Sequence, residues 1–395
     1  MQSKRVSVGR IPLAAVLVAL AASPLFPALA ADGAVSADFH GRLHLDFADF
    51  HNDDRGRPNP DDTEVRRAWL SVSGKLHGFK YKLEGDFADL DDIVARDVYL
   101  SRAFGDAGVL TVGQFKQHYS LDDRISSNWG SFMERSSAAA TLAPLYRLGA
   151  MWQARPGDMT WAASGYSLES IDVTSNKGFG LAARATWAPP AADAGVLHLG
   201  LSLIHEHYQS PGANGHPGVK IRPRPAGHLS DNSRMTLVDF SAGRDTRVNK
   251  WALEYAQGRG PVSWQAEWSG ATFADGMQHG DVQAAYGMLS WFPTGESRPY
   301  DRKNGRFGRL PSLNHRGGAF ELALRYDTMW GDQHLDGQPL LRSGRTSSVT
   351  VAGNWYLRPN LRLMLDLIQS HNRDRLHERT LDRTRAVTGR FQYDF

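Results

Sequence analysis

The residues with the most chemical promise are arginines at strand spacing. Lys220-Ile221-Arg222-Pro223-Arg224-Pro225 sets three cations at alternate positions, and an extended backbone projects alternate side chains to one side. Pro223 and Pro225 keep the segment extended and deny it ladder donors, which suits a strip of loop laid along a wall. Guanidinium groups arrayed in this way can replace part of an anion's hydration, and their planar fork matches phosphate. From its residues alone, the segment is either such a strip or a basic loop in open solvent. Val65-Arg66-Arg67-Ala68-Trp69-Leu70 is the second candidate. If Ala68, Leu70 and Val72 face outward, Arg67 points inward and Arg66 lies close to the strand rim. The pair either meets an anion or is wall charge neutralised by Glu84 and Asp86.

Other chemistry has less support. His205 and His207 share a strand face, where they could hold a metal, but they continue a leucine face and suit a membrane interface better. The runs Asp53-Asp54, Asp61-Asp62 and Asp89 to Asp92 lack calcium-loop spacing and read as solvated loop tips. Serines, histidines and acids are plentiful, yet no Gly-x-Ser-x-Gly context accompanies them, so no enzyme, cofactor or metal is expected.

The elements that must position these arginines read as strands. From Ala37 onward the chain alternates apolar and polar residues at period 2. Leu197, Leu199, Leu201 and Leu203 oppose His198, Gly200 and Ser202, while Tyr81, Leu83, Gly85 and Phe87 oppose Lys82, Glu84 and Asp86. A face with three charges on one strand is wet. Leu361 to Leu367 and Trp251 to Tyr255 repeat the pattern, which a soluble sandwich could share. The ends of the chain favour a barrel. Lys4, Arg5 and Arg10, the apolar run Ile11 to Ala22 and Ala28-Leu29-Ala30 form a signal peptide over residues 1–30, with a single barrel domain over 31–395. Arg385 to Phe395 is an amphipathic strand ending on phenylalanine, typical of bacterial outer-membrane barrels and similar to the signal read by their assembly machinery.

Cysteine is absent, so an exported fold must rely on its ladder and packing. The formal charge of +3 disappears with the three basic residues of the signal, leaving 42 basic residues opposite 42 acidic ones. A neutral chain predicts no nucleic-acid partner. About 365 mature residues at roughly 22 per strand and connection give about 16 strands, around a water-filled lumen. Gln117–Ala143, Gln209–Asn249 and Thr294–Gly318 are too long for turns. Arg298, Arg302, Lys303, Arg306 and Arg309 in the last of these are expected at the entrance of the lumen, or on a solvated rim.

Several blocks, in order along nearly all of the mature chain, resemble the phosphate-selective porin O/P family. They are Gly41-Arg42-Leu43, Val65-Arg66-Arg67-Ala68, Leu110 to Phe115, Phe132-Met133-Glu134-Arg135, Val196 to Leu201, Ile221-Arg222-Pro223-Arg224, Thr294-Gly295-Glu296 and Asn354-Trp355-Tyr356. The resemblance implies an all-β, transmembrane antiparallel barrel of 16 strands with inward-folded loops, trimeric in the outer membrane, that passes small anions, phosphate or polyphosphate, down an arginine ladder. Positions matching the ladder are Arg42, Arg66, Arg67, Arg135, Arg222 and Arg224, with Lys220 at an arginine position, Arg234 aligned less securely and Lys80 matching a family lysine. Two positions depart from the pattern: Asp123 stands where another lysine belongs, with Arg124 beside it, and Arg96 or Ala95 replaces an aspartate. A general-diffusion porin, in which acids balance the arginines, is one alternative. A barrel serving as an envelope anchor or adhesin, with Thr294–Gly318 as its contact surface, is another.

Overall fold

The computed structural model describes residues 35–52, 55–171, 178–190, 195–209, 218–241 and 244–395. Residues 1–30, expected to be a signal peptide, and Asp53-Asp54 lie outside them. The barrel strands are β1 (Val35–Asn52), β2 (Asp62–Leu76), β3 (Phe79–Asp86), β4 (Val94–Ala103), β5 (Val109–Lys116), β6 (Tyr146–Ala154), β7 (Met159–Ser167), β8 (Gly178–Trp187) and β9 (Val196–Tyr208). They continue, after a short hairpin of β10 (Val219–Ile221) and β11 (Val238–Phe240), with β12 (Thr246–Arg259), β13 (Val262–Ala274) and β14 (Gln278–Trp291). A second hairpin, β15 (Tyr300–Asp301) and β16 (Arg306–Phe307), precedes β17 (Ala319–Leu335), β18 (Leu340–Arg358), β19 (Leu361–Asp374) and β20 (Arg379–Asp394). Omitting the two hairpins leaves 16 strands in one closed antiparallel barrel, as the strand count predicted.

Closure depends on the two ends. β1 pairs with β20 from Arg42 opposite Asp394 to Asn52 opposite Thr384. Beyond that ladder, the amides of Gly41 and Phe395 each donate to the other's carbonyl, at 3.0 and 3.1 Å. The Phe395 ring occupies the space a side chain at position 41 would need, which explains the glycine. A closed ladder leaves no edge, the condition for crossing lipid with strands. Alternation is legible in the burial: Leu199, Leu201 and Leu203 are exposed on the outside, while His198 and Ser202 are buried inside.

Val35, the first described residue, and Phe395 lie at the end that carries the tight turns at 77–78, 260–261 and 359–360. Short turns mark the periplasmic end of such barrels, so the longer connections 117–145 and 209–245 are extracellular. The connection between β14 and β17 departs from the sequence expectation. Twelve barrel strands precede it, so the chain has returned to the end at which β1 begins. Its basic residues therefore lie at the periplasmic end of the barrel rather than at the extracellular mouth. It is no outward contact surface either, because Phe307 and Tyr300 pack with Leu121, Ile125 and Trp129 inside the barrel.

The 117–145 loop is pinned inside the lumen by the wall it crosses. Two one-turn helices, α1 (Leu121–Arg124) and α2 (Ser137–Thr141), are capped by Ser120 and Ser136. Between and around them, wall carboxylates accept from the loop: Asp122 N–H to Glu267 at 2.6 Å, Met133 N–H to Asp366 at 3.0 Å, and Ser137 N–H to Asp327 at 2.6 Å. Ser131 Oγ donates to Glu321 at 2.5 Å. Wall cations bind loop carbonyls in return, with Arg390 on Met133, Arg362 on Gly130 and Lys250 on Leu142 at 2.7 to 2.9 Å. The second loop is held by apolar contact instead. Val219, Ile221, Val238 and Phe240 of its hairpin pack on Phe273, Val282 and Met329, which point inward.

Glu321 gathers Ser131, Ser290, Asn354 and Tyr356 in one buried cluster. Replacing it with leucine strands these donors and should cost roughly 3 kcal/mol of loop anchoring. Limited proteolysis should then cut residues 126–135 while the barrel still migrates as a folded species; an uncut loop would show that Glu321 is dispensable.

Candidate anion pathway

Pinning the loop to one wall leaves a cavity of about 780 Å³ between the loop and the β1–β6 wall. Of the nine predicted cations, eight line it: Arg42, Arg66, Arg67, Arg135, Lys220, Arg222, Arg224 and Arg234. Lys80 does not. It shares a strand face with Lys82 and Glu84 but stands exposed beside the 77–78 turn, opposite Ser101. Lys82 occupies the cavity instead, 2.8 Å from Asp97 and 2.9 Å from Glu84.

Arg66 also departs from expectation. β1 and β2 slip register between His44 and Leu45, so that His44 faces Arg67 while Leu45 faces Val65, and Arg66 is the extra residue of a bulge. A bulge re-aims side chains, and here it sends two successive arginines inward. Arg66 forms a fork with Glu134, Nε to Oε1 and Nη2 to Oε2 both at 3.0 Å. Arg67 donates to His44 Nδ1 at 3.3 Å, which leaves His44 Nε2 to donate to Asn128 Oδ1 at 3.0 Å.

The remaining cations are held at one edge and open at another. Arg42 lies 4.3 Å above the Trp69 ring and donates to Ser127 Oγ at 3.2 Å. Arg135 donates to the carbonyls of Asp122 and Ile125. Lys220 meets Asp239 at 2.7 Å, Arg224 meets Asp231 at 2.8 Å, and Arg234 donates to the Arg222 carbonyl at 2.8 Å. Arg222 has no ion pair among the described residues, and its Nε is buried without a partner. Pro223 and Pro225 do carry this segment along the wall, as an extended strip with the three cations on the cavity side.

Cations that sequence reasoning had not placed in the ladder complete the lining: Lys82, Arg96, Lys116, Arg124 and, from the periplasmic connection, Arg306. The two departures from the family pattern are both neutralised. Asp123 is fully buried against Lys116 at 2.6 Å, and Arg96 turns to Asp86 at 2.7 Å. Arg124 is pushed down to about 9 by burial and by Arg306, which still leaves it charged at neutral pH. In all, thirteen arginines and lysines and three carboxylates, Glu84, Asp97 and Glu134, line the cavity, a formal excess of ten positive charges, four of which are met by Asp86, Asp123, Asp231 and Asp239 outside the lining.

The phosphate-selective porin O and P family model matches residues 38–395. The chain belongs to that family. It is an outer-membrane porin. The chain is 27% identical over 319 residues to Porin O of Pseudomonas aeruginosa, covering 73% of this chain and 71% of that one. An uncharacterized protein of Caulobacter vibrioides is 28% identical over 281 residues, 67% of this chain and 55% of the relative. Among solved structures, an anion-selective porin from Comamonas acidovorans superposes with a TM-score of 0.59 at 10% identity, covering 91% of this chain and 100% of that one. The outer-membrane channel DcaP of Acinetobacter baumannii gives 0.58 at 12% identity, covering 92% and 99%. At these identities the likeness is one of fold. His205 and His207 lie on the outside of the porin, against Phe179 and near Asn249 and Asp245.

Glu134 ties Arg66 to the loop. Burial would raise its pKa, but Arg66, Arg390 and Arg67 outweigh burial and hold it well below the ordinary value of 4.5. A depressed carboxylate contributes fully above its unfolded value and loses that contribution only as pH falls below it. Resistance of the loop to proteolysis should therefore stay constant from neutral pH down to 4.5 and decline only in stronger acid. Loosening that begins well above that value would contradict the ion-pair assignment.

Proposed function

We propose that this porin passes small anions, inorganic phosphate or polyphosphate among them, along the cavity lined by Arg42, Arg66, Arg67, Arg135, Lys220, Arg222, Arg224 and Arg234, in a homotrimer whose outside contacts outer-membrane lipid. The observation that carries this reading is the formal excess of ten positive charges in the cavity lining of a chain whose formal net charge is only +3. A low-dielectric channel with one sign of charge concentrates counter-ions and excludes co-ions. Each guanidinium offers only its free edge, so each site is modest, and an ion can leave one for the next.

Lys80 has no part in the cavity in this account. The balanced general-diffusion alternative is disfavoured because the acids that hold the loop, Glu267, Glu321, Asp327 and Asp366, sit on the far wall and are absent from the open lining. A trimer is in keeping with OmpT of Vibrio cholerae, a fold relative solved in a trimer form with a TM-score of 0.56 at 10% identity. The same reading takes Phe395, which closes the barrel against Gly41, as a signal for the barrel-assembly machinery.

The test is the zero-current potential of purified protein in a planar bilayer across a potassium chloride gradient, repeated with phosphate. An anion-selective potential and block of chloride current by phosphate are expected. Arg222→Glu with Arg224→Glu reduces the formal excess from ten to six and should lower the chloride-to-potassium permeability ratio several-fold. A potential that these substitutions leave unchanged would remove the strip from the pathway, and a cation-selective wild type would overturn the proposal.

A further inference from the structure

The outside of the barrel carries a second set of arginines that the pore does not use. On β18, β19 and β20 the outward residues are apolar from the periplasmic end upward: Trp355, Val351 and Val349; Leu361, Leu363, Leu365 and Leu367; Tyr393, Phe391 and Val387. The apolar band ends at the paired Leu367 and Val387 on β19 and β20, and one step higher, at Val349 opposite Gln369, on β18. On the extracellular side Arg385 and then Arg383 follow Val387 on β20, while Arg345 stands beyond Ser347 on β18 and Arg373 beyond Gln369 and His371 on β19, all four arginines exposed. Their lumen-facing neighbours confirm the direction, since Asn372 bonds the Ser233 carbonyl inside the barrel and Thr384 bonds Ser233 Oγ.

Register sets these cations side by side. Arg345 lies directly opposite Arg373, Arg383 opposite His371, and Arg385 opposite Gln369 on one side and His51 on the other. Like charges directly opposite across a ladder are destabilising unless a counter-charge joins them. Among the described residues none of the four arginines forms an ion pair. Arg345 donates only to neutral oxygens, Thr328 Oγ1 at 3.0 Å and Tyr326 OH at 3.1 Å. The neighbouring acids are engaged elsewhere or set apart: Asp332 with Arg375, Asp374 with His377 and Arg379, and Asp49 opposite Val387, one step below Arg385 in the register.

We infer that this strip binds the phosphate groups of a phosphorylated glycolipid of the outer leaflet, with its acyl chains lying on the leucine and valine band beneath. Depth and charge select that occupant together. The arginines stand on the extracellular side of the apolar band, spread over three steps of the register, and a free anion would have no use for the band. Tyr326, an aromatic residue of the interfacial kind, fixes Arg345 on that side. Phosphate also supplies the counter-charge that the Arg345 and Arg373 pair lacks, through the paired bonds that guanidinium favours.

The test compares wild-type protein with Arg373→Gln/Arg383→Gln/Arg385→Gln and with the matching triple lysine variant, each extracted from outer membranes and washed in detergent. Bound glycolipid is read by native mass spectrometry, and rebinding is measured with phosphorylated and dephosphorylated lipid and with inorganic phosphate as competitor. Each arginine near an anionic surface contributes about fivefold to association, so the glutamine variant should retain about a hundredfold less lipid. Lysine should restore most of it, and dephosphorylated lipid should bind like the glutamine variant. Because these side chains face away from the pore, ion selectivity should be unchanged in the glutamine variant, which also reports that the barrel has folded. Equal retention by wild type and the glutamine variant, equal binding of dephosphorylated lipid, or displacement by inorganic phosphate alone would each overturn the site.

Discussion

Everything in the lumen depends on how one loop satisfies its backbone. An irregular segment inside a barrel must find partners for its amides and carbonyls, or leave polar groups buried at a cost of about 1–3 kcal/mol each. Here the β13, β17 and β19 wall supplies Glu267, Asp327 and Asp366 to the amides, and Arg362, Arg390 and Lys250 answer the carbonyls. Acidic side chains are thereby collected on the far side of the loop. What remains facing open water on the near side is the basic surface of β1–β4 together with the basic strip of the second loop. Charge separation within the lumen is a consequence of loop anchoring, and it occurs in a chain whose formal net charge is only +3.

The second loop follows a different rule with a related result. Its hairpin docks through Val219, Ile221, Val238 and Phe240, whose contacts on Phe273 and Val282 are apolar. Burying the alternate residues of β10 turns Lys220 toward the opposite side, and the prolines extend that polarity to Arg222 and Arg224. Asp231 and Asp239 steady two of these cations from behind. Hydrogen bonding to Arg224 keeps the Asp231 carboxyl below the ordinary range, so the support is charged wherever the porin works. Positioned cations with one free edge give a series of shallow sites, the condition under which an ion both enters and leaves.

Much of this was legible because a strand has a period of two. Alternation at Leu197 to Leu203 and Leu361 to Leu367 gave the wall, the strand count followed from the chain length, and the i, i+2, i+4 spacing of Lys220, Arg222 and Arg224 marked the strip. Arg66 could not be placed from sequence, since a bulge is a property of the register between two strands and not of either one. Lys80 has the correct face but the wrong height, and height is measured against a loop folded from elsewhere in the chain. Arg124 carried no strand pattern, Lys116 is the last residue of β5, and Arg306, expected at the lumen mouth, reaches the cavity because its connection folds inward. The end of the barrel that bears 294–318 was within reach: an even number of strands precedes it, and counting them returns the chain to its starting side. Inward-facing Phe273 and Val282 blur the alternation where the second loop docks, so that contact showed no signal.

The claim on which the account stands is that anions reside on the basic side of the loop and not against the acid-lined wall behind it. Anomalous diffraction from crystals soaked in bromide locates them directly. Peaks along the cavity between Arg42, Arg67, Arg135, Arg222 and Arg224 are the predicted result. Bromide confined to solvent outside the barrel, with none in that cavity, would contradict it.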